Sequence, residues 1–177
     1  MTSDSKLEIY EPSTGDLMNK KYALITGGTA GIGLDIAREL ARQGHNILLT
    51  ARREERLKEI SASLIEEFNI DCNYIAADLA QVSAPEIIYN FCCENDYVVE
   101  ILVNNAGYSI NKKFHETDEE EEEKFLRVLG IAVVALTKKF IPSMLEQKYG
   151  KIMMVSSLAS FAPPSSGWGA LYGPVKT

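Results

Sequence analysis

Thr26-Gly27-Gly28-Thr29-Ala30-Gly31-Ile32-Gly33 is the stretch that decides how this chain folds. It follows the apolar run Tyr22-Ala23-Leu24-Ile25, which reads as a buried-type strand. After it, Ile32, Ile36 and Leu40, with Ala37 and Ala41, recur at helical spacing as far as Gly44, a helix stop. Glycines at 27, 31 and 33 let the chain turn tightly and bring main-chain N–H groups close to a ligand. The following helix N-terminus then faces a pyrophosphate. No Gly-Lys-Ser/Thr follows, so this is not the phosphate loop of a phosphotransferase.

Outward from the turn the alternation of strand and helix repeats. Asn46–Thr50 is a second strand, and Arg53–Phe68 a charged helix with Leu57, Ile60, Leu64 and Phe68 on one face. Cys72–Ala76 is a third strand, and Ser83-Ala84-Pro85-Glu86 opens the next helix, where proline is tolerated in the first turn. Ile101–Asn104 is a fourth strand, Thr117–Gln147 one long helix, and Lys151–Ser156 a fifth strand. Five such alternations predict an α/β fold, a doubly wound parallel sheet with helices on both faces. The division is a polar arm over 1–20 and one domain over 21–177, with no internal repeat.

The chain has 177 residues and a formal charge of −7. Its acidity is mostly one run, Asp118 to Glu123, read as a solvated helix start capped by Thr117, with carboxylates facing the positive end of the macrodipole. The alternative for that run is a docking site for a basic partner. No Lys/Arg cluster offers a phosphate-tracking face, so no nucleic-acid partner is expected. Met1–Lys21 lacks the apolar core of a secretion signal, and Ile131–Leu136 is too short an apolar run to span a bilayer; no membrane partner is expected. Cys72, Cys92 and Cys93 form no CxxC pair, while His45 and His115 stand alone. The expectation is therefore no metal, and free thiols in a reducing cytoplasm.

Several further motifs occur in order. Asp78-Leu79 ends the third strand, Asn104-Asn105-Ala106-Gly107 closes the fourth, Ser156-Ser157 ends the fifth, and Tyr172-Gly173-Pro174-Val175-Lys176 follows. With TGGTAGIG at 26–33, this series resembles the short-chain dehydrogenase/reductase family and its TGxxxGxG, NNAG and YxxxK motifs, from about Tyr22 to the last residue. The resemblance implies a Rossmann-type sheet and a nicotinamide dinucleotide held by Gly27, Thr29, Gly31, Ile32, Gly33, Asp78, Leu79, Asn105, Ala106 and Gly107, with Tyr172 and Lys176. An acidic residue at the end of the second strand would select NAD; Ala51 stands there instead. Arg52 can form charge-assisted hydrogen bonds to a 2′-phosphate, so NADP is expected ahead of NAD.

Hydride transfer to a carbonyl leaves negative charge on oxygen, so a donor must deliver a proton there. A tyrosine with an ordinary pKa of about 10 is a reluctant acid, and a nearby ammonium favours its phenolate. Residues 172 and 176 share a helix face. By resemblance Tyr172 is the proton donor and acceptor, Lys176 tunes it and holds the nicotinamide ribose, and Ser157 orients a small carbonyl or alcohol substrate. Trp168, in the loop Ala162–Gly169, reads either as a pocket wall or as a packed loop aromatic, as do Phe161 and Leu171.

Two departures shape the expectation. The family's helical asparagine, which links the lysine to a water chain, is replaced by Leu129. Family members also continue past YxxxK, whereas this chain stops at Thr177, which reads as a fragment or a partner-completed form whose fifth strand is an open edge. The leading expectation is an NADP-dependent oxidoreductase interconverting carbonyl and alcohol. The alternative is a catalytically silent nucleotide-binding or interaction protein. A methyltransferase on a similar sheet would make YxxxK and NNAG accidental. Homo-oligomers are common in the family, but the second helix of their usual interface is nearly absent here.

Overall fold

Apolar runs flanked by turn residues set five strands, and helices connect them. The computed structural model describes residues 20–161 and 171–176. The strands are β1 (Lys20–Thr26), β2 (Asn46–Ala51), β3 (Cys72–Ala76), β4 (Tyr97–Asn104) and β5 (Lys151–Met154). All are parallel, in the order β3-β2-β1-β4-β5. Strand order reverses beside β1, which opens a crevice at the carboxyl ends of β1 and β4. The helices are α1 (Gly31–Arg42), α2 (Glu54–Phe68), α3 (Ala84–Glu94), α4 (Glu119–Leu126), α5 (Ala132–Glu146) and the short α6 (Tyr172–Lys176).

Side chains alternate along each strand, so the sheet has two apolar faces. Ala23, Ile25, Ile47, Leu49, Ile101 and Val103 pack with Ala37, Ala41, Leu57, Ile60 and Leu64 of α1 and α2. Tyr22, Leu24, Leu48 and Leu102 pack on the other face with Ile88 of α3 and Leu136 and Phe140 of α5. The doubly wound parallel sheet expected from the alternation is the observed architecture.

Four local readings change. Ile32 is 62% exposed; Gly33, Ala37 and Ala41 form the buried stripe of α1 instead. The acidic helix begins after Asp118, not Thr117: the Asp118 carboxylate accepts from Glu121 N at 2.7 Å, a stronger acceptor than a hydroxyl at the dipole's positive end. The Thr117 hydroxyl lies instead within hydrogen-bond distance of the Phe114 carbonyl and the Glu122 carboxylate, with one proton to give to either. The single long helix is divided by a π-helical turn at Arg127–Ile131, a wide turn that lets both Val128 and Leu129 point inward. The fifth strand ends at Met154, so Ser156 and Ser157 lie beyond it.

By length and composition the stretch Glu119–Glu146 could cross a bilayer. Here Phe125, Leu129, Ala132, Leu136, Phe140 and Met144 belong to the core cluster on the sheet. β5 is the sheet's edge, and its Ile152, Met153 and Met154 are exposed. The expected polar arm lies outside the described residues except for Lys20, the first residue of β1. The loop with Trp168 lies outside them as well.

Candidate functional site

The glycine turn is fixed from both neighbouring strands. Gly27 N donates to the Thr50 carbonyl at 2.8 Å. The buried Thr26 hydroxyl donates to Val103 O and accepts from Asn105 N at 2.9 Å and Ala106 N at 3.0 Å. Asn105 Nδ2 donates to the Thr26 carbonyl at 2.9 Å and the Gly27 carbonyl at 3.3 Å. Asn105, expected at the cofactor, thus turns its side chain into the protein and holds the turn. A Cβ on Gly33 would lie 2.3 Å from Asn105 Nδ2 and 2.5 Å from the Gly27 carbonyl, so only glycine fits there.

Gly31 has a φ of +51° and open space where a Cβ would stand. Ala30 caps α1 with no side-chain acceptor, so the first-turn N–H groups have no capping side chain. Thr29 is buried beneath the turn, and Ile32 is exposed beside it.

A cleft of about 980 Å³, open to solvent, runs from the turn past the ends of β2 and β3 to α4. It brings together Gly27, Arg52, Asp78, Leu79, Ala106 and Gly107, all predicted from motifs. Asp78 is set by its own turn, its carboxylate accepting from Ala80 N at 3.0 Å. Arg52 is exposed and makes no ion pair with a described residue.

Sequence reasoning missed Thr50, Tyr108, Lys124 and Val128 in the same cleft. Tyr108 directly follows the NNAG motif, which is a legible signal. Lys124 and Val128 arrive from a helix more than seventy residues beyond Arg52, and only folding places them there. Burial first, then the Glu121 carboxylate, raises the Tyr108 phenol above its ordinary value, while Arg52 and Lys124 act in the other direction. The Thr50 hydroxyl is buried at the cleft without a protein partner. Uncapped N–H groups, the space over Gly31, an unpaired guanidinium and this hydroxyl fit a phosphate-bearing nucleotide.

α6 docks over the end of β5. Lys176 Nζ donates to the Val155 carbonyl at 2.7 Å, and the Ser156 hydroxyl donates to the Lys176 carbonyl. Burial lowers the Lys176 ammonium below its usual 10.5. Lys176 Nζ lies 3.5 Å from where a Gly107 Cβ would be, with Leu129 Cγ 3.7 Å from the same point. Leu129, 5% exposed, therefore faces Gly107 together with the lysine, and its side chain offers no hydrogen-bonding group there. Tyr172 is half-buried, its ring centroid 6.3 Å from that of Phe125. The Ser157 hydroxyl accepts from Ala159 N at 3.2 Å.

The model of the short chain dehydrogenase family matches residues 21–176. A fatty acyl-CoA reductase of Acinetobacter baylyi is 33% identical over 144 residues, covering 80% of this chain and 48% of the relative. A very-long-chain 3-oxoacyl-CoA reductase of Rattus norvegicus is 31% identical over 147 residues, covering 81% and 46%. The chain spans about half the length of these curated relatives. A short-chain dehydrogenase from Sphingobium yanoikuyae in complex with NADPH superposes with a TM-score of 0.82 at 30% identity, over 88% of this chain and 60% of that one. An L-sorbose reductase from Gluconobacter frateurii, complexed with NADPH and L-sorbose, gives 0.82 at 31%, over 89% and 59%.

Proposed function

Because the chain belongs to the short-chain dehydrogenase family, we propose that it binds NADP and interconverts a carbonyl and an alcohol by hydride transfer. The observation that carries this reading is the meeting of Lys176 with Gly107. It sets the Tyr172–Lys176 helix at the lip of the cleft that begins at the glycine turn. NADPH in two similar structures supports the choice of dinucleotide.

When bound, NADPH supplies the hydride. The uncapped start of α1 holds the pyrophosphate, Arg52 pairs with the 2′-phosphate, and Asp78 and Leu79 border the base. Tyr172 delivers the proton to the substrate oxygen, and Ser157 donates a hydrogen bond to the same oxygen. Lys176, with one N–H committed to Val155, holds the ribose with the others, and its charge favours the phenolate left behind. The acyl-CoA reductases among the relatives bring ketone and acyl compounds into the proposal. A cytoplasmic setting, resting on three free thiols, and a homo-oligomer belong to it as well.

Fluorescence titration with NADPH and NADH, followed by NADPH oxidation over a panel of carbonyls, tests the reading. Tighter NADPH binding and turnover that disappears in Tyr172→Phe are expected. A folded chain that binds neither dinucleotide overturns it. Leu129 beside Lys176 favours a second reading, a nucleotide-binding chain with little turnover; binding without oxidation of any carbonyl would select it.

A further inference from the structure

Tyr108 lines the dinucleotide cleft, and none of the roles given above uses it. It is 39% exposed, and its ring meets buried Phe125 edge-on, with centroids 5.4 Å apart and planes at 89°. That contact fixes the ring. The hydroxyl has no hydrogen-bond partner among the described residues. Burial and then the Glu121 carboxylate hold the phenol protonated at neutral pH, so it is a hydrogen-bond donor there.

Two cations share the cleft with it: Arg52, just past β2, and Lys124, on α4. Both act on the phenol electrostatically, as do the carboxylates of Asp78 and Glu121. Those carboxylates already have partners, Asp78 accepting from Ala80 N at 3.0 Å and Glu121 from Lys112 at 2.6 Å. The cations have capacity left. Arg52 makes no ion pair with a described residue. Lys124 donates to Glu120 at 2.5 Å, which leaves the other N–H groups of its ammonium. A guanidinium, an ammonium and a phenol are all donors, and a phosphomonoester supplies the acceptor oxygens and the negative charge that suit them. The pyrophosphate is already accounted for by the start of α1, so the group that remains is the phosphate on the adenosine ribose.

We propose that Tyr108 and Lys124 join Arg52 in holding the 2′-phosphate of the dinucleotide, the phenol as a neutral donor and the ammonium as a second positive charge. The inference rests on the NADP reading above. It adds two specificity-determining residues that lie outside both the glycine turn and the end of β2. The chemistry is recognition alone, and no bond changes.

Isothermal titration of the chain with 2′,5′-ADP and with 5′-ADP tests it without turnover. The two nucleotides differ only in the 2′-phosphate, so the ratio of their dissociation constants reads that group and cancels general damage to the cleft. Tyr108→Phe keeps the ring against Phe125 and removes only the hydroxyl. It is expected to cut the preference for 2′,5′-ADP roughly tenfold, the value of a hydrogen bond to a charged group. Lys124→Met is expected to cut it roughly threefold in dilute buffer, with the difference from the parent vanishing near about 1 M salt, because an exposed charge is screened. Circular dichroism establishes that both variants are folded. If the parent prefers 2′,5′-ADP and both variants keep the whole preference, this inference is overturned and the NADP reading stands on Arg52. A folded parent that binds the two nucleotides equally, or binds neither, overturns both.

Discussion

Asn105 Nδ2 occupies the space that a Cβ on Gly33 would need, 2.3 Å from it, while donating to the Thr26 carbonyl at 2.9 Å. One side chain from the end of β4 therefore holds the dinucleotide turn after β1. It also explains why glycine is required at 33.

Gly33→Ala forces the amide off its carbonyls. The expected loss is about 1–3 kcal/mol of stability from overpacking. NADPH affinity is expected to fall by roughly tenfold or more as the turn shifts. Urea denaturation and fluorescence titration measure the two effects. A variant that matches the parent in both would show that the turn is not held this way.

Arg52→Asp removes the unpaired guanidinium from the cleft. A charge-assisted hydrogen bond is worth about 1.5–3 kcal/mol, so NADPH affinity is expected to fall roughly 10- to 100-fold. NADH affinity is expected to hold or improve, because an acid at this end of β2 suits ribose hydroxyls. The ratio of the two dissociation constants is the measurement.

Leu129→Asn places an amide close to Lys176. Burying it without assured partners is expected to lower stability by about 1–3 kcal/mol. kcat is expected to rise with KM little changed, since the amide offers the lysine a proton path that leucine cannot. Steady-state NADPH oxidation and thermal melts separate the two effects.

At the opposite end of the sheet Asp71 accepts from Lys20 at 2.7 Å, Tyr22 at 2.8 Å and Asn73 at 3.2 Å. Burial raises its carboxyl, but these hydrogen bonds and the Lys20 charge outweigh it and leave it below its usual 3.8. Because the folded value is depressed, the stabilisation is present above the unfolded value and is lost as pH falls through the folded one. Asp71→Asn is expected to flatten the acid limb of a melting profile between neutral pH and pH values below 4. The size is about 1 kcal/mol or less, since solvent screens the pair.

The strands were legible because three of the five, β1, β2 and β4, are short apolar runs largely buried on both faces, and composition alone marks such runs. Thr26–Gly33, Ala51-Arg52 and Asp78-Leu79 were legible because each lies at or just past the end of a strand on the carboxyl edge of the sheet, where a βα unit brings its ligand-facing residues. Sequence does not carry side-chain direction in a turn, so it did not show that the Asn105 amide points inward and holds the glycine turn. Nor did it show that Asp118 would outcompete Thr117 as a cap, or that a wide turn would interrupt the long helix at Arg127–Ile131.

The sequence by itself determined the alternation, the glycine turn and the residue types available for chemistry, since these depend on local periodicity and on what each side chain can do. Only the tertiary structure decided that Lys124 and Val128 share a cleft with Arg52, and that Leu129 and Lys176 both face Gly107. Those pairings join residues dozens of positions apart, and packing of α4 and α6 onto the sheet is what brings them together.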